Sequence, residues 1–352
     1  MDNIPAGGIA GTGVAVIGAA VVGCGGISAT HLAALRALEG EGVRIVSLYD
    51  TKPGRVEGRR AEYGGEAAAS LEAILDDPRV QTVHILTPHA LHAGMVRAAL
   101  DAGKYVLCEK PLATSTDDLD ELARLDPDNR RVCCVFQNRY NPATQRAKAM
   151  IDGGELGEIA SLKGMLTWKR GAAYYADDWH GTLSLEGGGV LINQAIHTLD
   201  LMLYLGGPLR SLKASVTVDL LEGVVEVEEN AHIVMRYADN KTGLFFASNS
   251  NGADEPPEIT IMGERGWLLL RGDRLCLRDG SGERLLVDAR VAPTVGKAVY
   301  GNSHVTQIHD FYRCVSEGRP FAIGVKEASP AVRAVLAAYG SSRAGSWVSL
   351  DK

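Results

Sequence analysis

The sequence predicts an α/β domain on a doubly wound parallel sheet, followed by an α+β domain with a large, mostly antiparallel open sheet. Three observations predict it. Short apolar runs alternate with helical patterns up to about Gln137, whereas beyond it strand-like segments follow one another across short turns. A chain of 352 residues also exceeds one ordinary hydrophobic core. The expected domains are residues 1–136 and 137–352, and the last helix is free to pack back on the first.

In the first part, Ala19–Cys24, Val43–Tyr49, Thr82–Thr87, Tyr105–Cys108 and Val132–Gln137 read as strands. His31–Glu39 and Ala90–Ala102 carry helical spacing, and Gly103 stops the second of these. A helix from Pro142 to Ile151 then runs into Gly153-Gly154, and Ile159–Trp168 has strand character. One helical segment, Val190–Leu205, precedes six strands: Ser211–Leu220, Val225–Tyr237, Lys241–Ser250, Glu258–Met262, Gly266–Leu270 and Arg274–Arg278. Asp239-Asn240 and Asp279-Gly280-Ser281-Gly282 supply turns between them. Val305–Glu317 and Lys326–Ser341 are the closing helices.

Composition narrows the function. A formal charge of −7 offers no general attraction to phosphate backbones or anionic lipid, so neither nucleic acid nor membrane is an expected partner. The longest apolar stretch, Val14–Cys24, is broken by Gly18 and Gly23 and falls well short of the ~20 residues that span a bilayer. Met1–Gly13 holds no Lys or Arg, unlike a secretory signal. Six scattered cysteines without a CxxC pair fit a reduced cytoplasm. Glycine is the outlier, at 41 residues without a triplet period.

Some of those glycines are informative. Gly23-Cys24-Gly25-Gly26-Ile27-Ser28 follows a strand and opens a helix, matching G-x-G-x-x-G with Ser28 in the third glycine position. Gly23 suits a tight turn, Gly25 and Gly26 admit a pyrophosphate, and the helix beginning near Ser28 aims free N–H groups at it. Asp50 ends the next strand, where a carboxylate accepts from ribose hydroxyls and repels a 2′-phosphate. A Rossmann-type domain binding NAD follows. NADP is the alternative that Lys52 and Arg55 keep open.

Cys108-Glu109-Lys110-Pro111 lies just past another strand of the same sheet, at the edge where such sheets bind ligands. The stretch VHILTPHALHAGMVRAALDAGKYVLCEKP (Val83–Pro111) resembles the signature of the glucose-fructose oxidoreductase/inositol dehydrogenase (Gfo/Idh/MocA) family. The glycine loop with His31 behind it, Gln137-Asn138-Arg139-Tyr140-Asn141-Pro142, and Gly187-Gly188-Gly189-Val190-Leu191-Ile192-Asn193-Gln194-Ala195-Ile196-His197-Thr198-Leu199-Asp200 agree in order and spacing.

The resemblance implies an NAD(P)-dependent oxidoreductase acting on a secondary hydroxyl of a sugar, glycoside, nucleotide sugar or cyclitol. It makes Lys110 and His197 the expected catalytic pair. His197 has the ordinary pKa to take the hydroxyl proton, while Lys110 can hold the emerging oxyanion and share the proton transfer, so either is open as the proton acceptor. Asn193 and His197, four apart, are expected on one helix face, with Asp200 three further on. Many relatives carry Asp where this chain has Asn193. Asn cannot take a proton, so it reads as a hydrogen-bond partner that orients a hydroxyl. The Asn-Gln-x-x-His version resembles members acting on nucleotide sugars or glycosides.

Thr87, Pro88, His89, His92, Glu109, Lys110 and Gln137 join the expected cofactor contacts, and no metal is expected at His89 and His92. Arg139, Tyr140 and Trp179 are expected substrate contacts, although an Arg at a domain junction also suits a structural ion pair. Trp168, Tyr174, Tyr175, Trp179 and His180 form an aromatic stretch suited to a sugar face, a core anchor or an oligomer contact alike. Ser303-His304 resembles a family position without an assigned role. The open sheet suggests a homodimer or homotetramer. Two alternatives remain: a redox-neutral hydrolase or lyase working through a transient keto-sugar on bound NAD, and a non-catalytic sugar sensor.

Overall fold

The computed structural model describes residues 16–290 and 303–350, so the outer ends of the two expected domains lie outside the described residues. The first part runs β1 (Ile17–Val22), α1 (Ser28–Ala37), β2 (Val43–Tyr49), α2 (Pro53–Tyr63), β3 (Glu66–Ala67), α3 (Leu71–Leu75) and β4 (Thr82–Ile85). It continues with α4 (His92–Asp101), β5 (Tyr105–Cys108), α5 (Thr116–Leu125) and β6 (Val132–Cys134). All pairings here are parallel, in the order β3-β2-β1-β4-β5-β6. The near-continuous burial of β1, β4 and β5 is what a sheet covered on both faces requires. The strand order reverses between β1 and β4, and the loops after these two strands open a crevice there.

The second part comprises α6 (Pro142–Asp152), β7 (Ile159–Thr167), α7 (Ile196–Gly206), β8 (Leu209–Thr217), β9 (Asn230–Tyr237) and β10 (Thr242–Ser248). Then come β11 (Glu258–Gly263), β12 (Gly266–Arg271), β13 (Arg274–Asp279), β14 (Gly282–Asp288), α8 (Ser303–Glu317), α9 (Val325–Ala344) and β15 (Val348–Ser349). Among the described residues nine strands form one sheet, ordered β14-β13-β12-β11-β7-β10-β9-β8-β15. Every pairing is antiparallel except that of β7 with β10. The two closing helices return toward the first sheet. Ile308, Phe311 and Tyr312 of α8 share a core with Leu32 and Leu35 of α1, while α9 contributes Val332 and Val335 to the core beneath the large sheet.

Several boundaries differ from expectation. The expected strand Ala19–Cys24 stops at Val22, because Gly23 turns the chain at a φ of +95°. A Cβ there would lie 2.5 Å from the Leu86 carbonyl oxygen, so the crossing of these two loops requires glycine. The strand expected over Val132–Gln137 ends at Cys134, and Gln137–Tyr140 coils into a short 3₁₀ turn. The helix expected from Val190 begins only at Ile196. Glu228 explains the delay. Its carboxylate accepts the Gly189 and Leu191 N–H groups and its main-chain oxygen accepts that of Val190, engaging donors at the entry of the expected helix. Asn193 therefore sits in the turn before α7, not on its face.

Candidate active site

The loops after β1, β4 and β5 and the turns before α7 enclose a cavity of about 580 Å³, a size that suits a small-molecule site. It is lined by Gly23, Gly25, Gly26, Ile27, Asp50, Thr87, Pro88, His89, His92, Glu109, Lys110, Gln137, Trp179, Asn193 and His197. The folded chain thus brings these expected positions, drawn from widely spaced segments, onto one wall.

At one end the glycine loop leaves room for an anion. A Cβ added at Gly25 or Gly26 would meet nothing within 4 Å, and no side chain caps the N-terminus of α1. Open space beside unsatisfied helix donors fits a pyrophosphate. Asp50 carries a second duty. Its Oδ2 accepts the Cys24 N–H at 2.8 Å and its Oδ1 accepts that of Lys52 at 2.8 Å, so it holds the loop while still facing the cavity. The two cations beside it are already matched: Lys52 Nζ lies 2.6 Å from Asp178, and Arg55 lies 3.8 Å from Asp50. Ser28 departs from expectation. Its hydroxyl donates to the Gly25 carbonyl and accepts from Arg59, which turns it into the protein as a brace for the loop.

At the other end sits Lys110, joined to Pro111 by a cis peptide. Its Nζ donates to the main-chain oxygen of Asn193 at 2.8 Å and to Asn193 Oδ1 at 3.0 Å. Burial pulls the Lys110 pKa down, against the opposing charges of Glu109 and Glu186. The neighbouring Glu109 accepts from His31 at 3.2 Å and faces His304 at 3.6 Å. Burial alone would raise that carboxyl, but its histidine partners hold it well below the usual range.

His197, the other member of the expected catalytic pair, is also at the cavity. It keeps an edge on the cavity yet lies deep, with its ring edge-on to Phe136. Burial first, then the charge of Lys110, push its pKa down to about 3. It is therefore a neutral imidazole near pH 7, the form that can accept a hydrogen bond or a proton.

Other expectations sort themselves by position. His92 spans the carbonyls of Pro111 and Thr87, and His89 Nδ1 faces the Glu186 carbonyl, so both brace the cavity wall. The Gln137 Oε1 is buried without a protein partner. Trp168, Tyr174, Trp179 and His180 line the cavity, while Tyr175 lies beneath and accepts from Asn249. Arg139 and Tyr140 do not reach it. Arg139 forms a buried pair with Asp200 at 2.6 Å, and Tyr140 donates to Asp310; both line a separate cavity that shares no residue with the first. Burying a guanidinium demands a carboxylate partner, which is why this pairing prevails over a substrate role.

One residue at the site was not expected. Glu186, fully buried, accepts from Asn193 Nδ2 at 2.6 Å and from the Gly181 N–H at 2.5 Å. Its only sequence signal is an acidic residue immediately before Gly187. Among the described residues no group of three or more His, Cys, Asp or Glu side chains is placed to hold a metal, and no helix is long and apolar enough to cross a membrane.

Comparison with known proteins agrees with this geometry. Residues 17–137 match the model for the oxidoreductase family with an NAD-binding Rossmann fold, and residues 144–269 match that for the GFO/IDH/MocA C-terminal domain. A levoglucosan dehydrogenase of Pseudarthrobacter phenanthrenivorans is 27% identical over 73% of this chain and 76% of its own length. A scyllo-inositol 2-dehydrogenase (NAD(+)) of Bacillus subtilis is 25% identical over 88% and 90%. The WlbA dehydrogenase from Bordetella pertussis, solved in complex with NADH and UDP-GlcNAcA, superposes with a TM-score of 0.84 at 26% identity, covering 96% of this chain and 99% of that one. With both halves of the chain matched and the cofactor end of the cavity built as described, this protein belongs to the GFO/IDH/MocA family of NAD-binding oxidoreductases.

Proposed function

We propose that the chain oxidises a secondary hydroxyl of a polyhydroxylated ring, a sugar, glycoside, nucleotide sugar or cyclitol, with NAD as hydride acceptor. The observation that carries this reading is Lys110, a half-buried amine with its own acceptors, in the same cavity as the glycine loop and an aromatic wall. The relatives named above act on such rings, and Trp168, Tyr174 and Trp179 offer apolar faces for sugar C–H groups.

The bound nicotinamide supplies the chemistry of accepting hydride from the alcohol carbon. Gly25, Gly26 and the start of α1 hold the pyrophosphate, and Asp50 takes the ribose hydroxyls. Lys110 acts on the reacting oxygen. Two of its ammonium N–H groups are committed to Asn193, so the third is free to reach a substrate oxygen. Its lowered pKa brings the amine form closer to neutrality, and that amine takes the hydroxyl proton as hydride leaves. Neutral His197 hydrogen-bonds the same hydroxyl and fixes its orientation.

The outer face of the large sheet suits self-association. Val234 and Leu244, opposite one another on β9 and β10, are exposed, as are Met262 and Trp267. We place the enzyme in the cytoplasm as a homodimer or homotetramer, a state that sedimentation velocity reads directly. The test of function is a panel of inositols, free sugars, glycosides and nucleotide sugars, followed by NADH absorbance beside a product assay. One or more ring substrates should yield NADH and a keto product in equal amounts. Free sugar released from a glycoside without net NADH would overturn the reading.

A further inference from the structure

Glu186, Asn193 and Lys110 form a chain of hydrogen bonds from the interior to a half-buried lysine: Glu186 Oε1 accepts from Asn193 Nδ2 at 2.6 Å, and Asn193 Oδ1 accepts from Lys110 Nζ at 3.0 Å. An amide in this place has two orientations that chemistry does not treat equally. A carboxylate only accepts and an ammonium only donates. With the amide as found, both contacts join a donor to an acceptor. Turned over, it would set its carbonyl against a carboxylate and its NH₂ against an ammonium. Glu186 itself cannot drift, because its second oxygen holds the Gly181 N–H and no part of the residue is exposed.

We propose that Glu186 is a positioning residue: through the side-chain amide of Asn193 it fixes an oxygen against Lys110 and thereby sets the charge state of the lysine. This deepens the function proposed above and rests on Lys110 being the group that acts on the substrate oxygen. The charged and titratable groups around Glu186 agree. Lys110 stabilises its ionised form, whereas Glu228 opposes it from the segment that leads into β9, and Tyr174 feels its charge from the aromatic strap. Tyr339 of α9 sits close enough to sense both carboxylates, and its hydroxyl donates to Glu228. His89 meets only the Glu186 main-chain oxygen. Burial pushes the Glu186 carboxyl up to about 7, so the charge that orients Asn193 is itself lost near neutrality as pH falls. Protonated Glu186 can donate, which removes the reason for the amide to keep its oxygen on Lys110.

The test reads Lys110 directly in coenzyme-free protein, as the pH midpoint of its competitive labelling by acetic anhydride, resolved by peptide mass spectrometry. Glu186→Gln keeps an acceptor for Asn193 Nδ2 but removes the charge. The Lys110 midpoint should fall by about one pH unit, and the acid limb of kcat/KM should move with it. An unmoved midpoint overturns the proposal whatever happens to thermal stability. If Glu186→Gln does not fold, Asn193→Leu cuts the same link and must lower the midpoint too; no shift there overturns it equally. Because labelling needs no substrate, a shifted midpoint in a protein without dehydrogenase activity would sink the proposed function while leaving this inference standing.

Discussion

The side-chain nitrogen of Lys110 lies 2.8 Å from the main-chain oxygen of Asn193 and 3.0 Å from its Oδ1, tying the end of β5 to the turn that opens α7. One lysine thus links the sheet that carries the glycine loop to the turn that carries Asn193. Substitutions on either side of the link should separate binding from chemistry.

The glycine loop makes a paired prediction. Gly23→Ala forces a Cβ to within 2.5 Å of the Leu86 carbonyl oxygen at a positive φ, so it should destabilise the fold by about 1–3 kcal/mol. Gly25→Ala meets open space and should leave the thermal midpoint unchanged while weakening NADH binding, read by fluorescence titration. Equal NADH affinity in Gly25→Ala and wild type would remove the pyrophosphate from this loop.

Asp50→Ser should shift the coenzyme preference. The carboxylate lost is the one proposed to take the ribose hydroxyls, and Arg55 is released from its 3.8 Å partner to meet a 2′-phosphate. The ratio of kcat/KM for NAD over NADP should fall by about tenfold or more. An unchanged ratio would place discrimination elsewhere.

Buried histidines should make the protein acid-sensitive. Burial holds His84 and His89 well below their ordinary value, and burial with Lys110 holds His197 at about 3. A depressed folded-state pKa means that the unfolded chain binds the extra proton first. Stability contributed by these neutral rings is therefore complete above the unfolded value and drains as pH falls from about 6.5 toward the folded values. Glu186, pushed up to about 7, works in the opposite direction over the same window, so in a Glu186→Gln background thermal midpoints from about pH 7 to about pH 5 should decline, and a flat profile there would contradict the buried neutral state.

Arg139 and Asp200 offer a control away from the chemistry. Asp200→Asn leaves a buried guanidinium without its charge partner and should cost about 3–5 kcal/mol, measured by urea unfolding. The KM for substrate in the folded fraction should not change, since neither residue lines the coenzyme cavity.

Much of this fold was legible from local pattern. Val43–Tyr49 and Tyr105–Cys108 are strands to the residue, because each is an apolar run between turn signals. Pro53–Tyr63 and Thr116–Leu125 went unassigned. The first carries five charged residues among eleven and buries only Val56, while the second shows only Leu119 and Leu122 to the core. The late start of α7 was invisible, since it depends on Glu228, a residue nearly forty positions away. Site positions in phrases that face one crevice were readable as motifs, whereas Glu186 acquires its place only through the folded contact with Asn193. The low pKa of His197 is likewise a property of depth, which composition does not carry.

The central claim is that Lys110 acts on the reacting oxygen and not on the coenzyme. Lys110→Ala, assayed on a confirmed ring substrate beside NADH titration, addresses it most directly. The account predicts a fall in kcat of about 10²–10⁴-fold with NADH affinity within a few-fold of wild type. Undiminished kcat, or a loss explained entirely by failure to bind NADH, would contradict it.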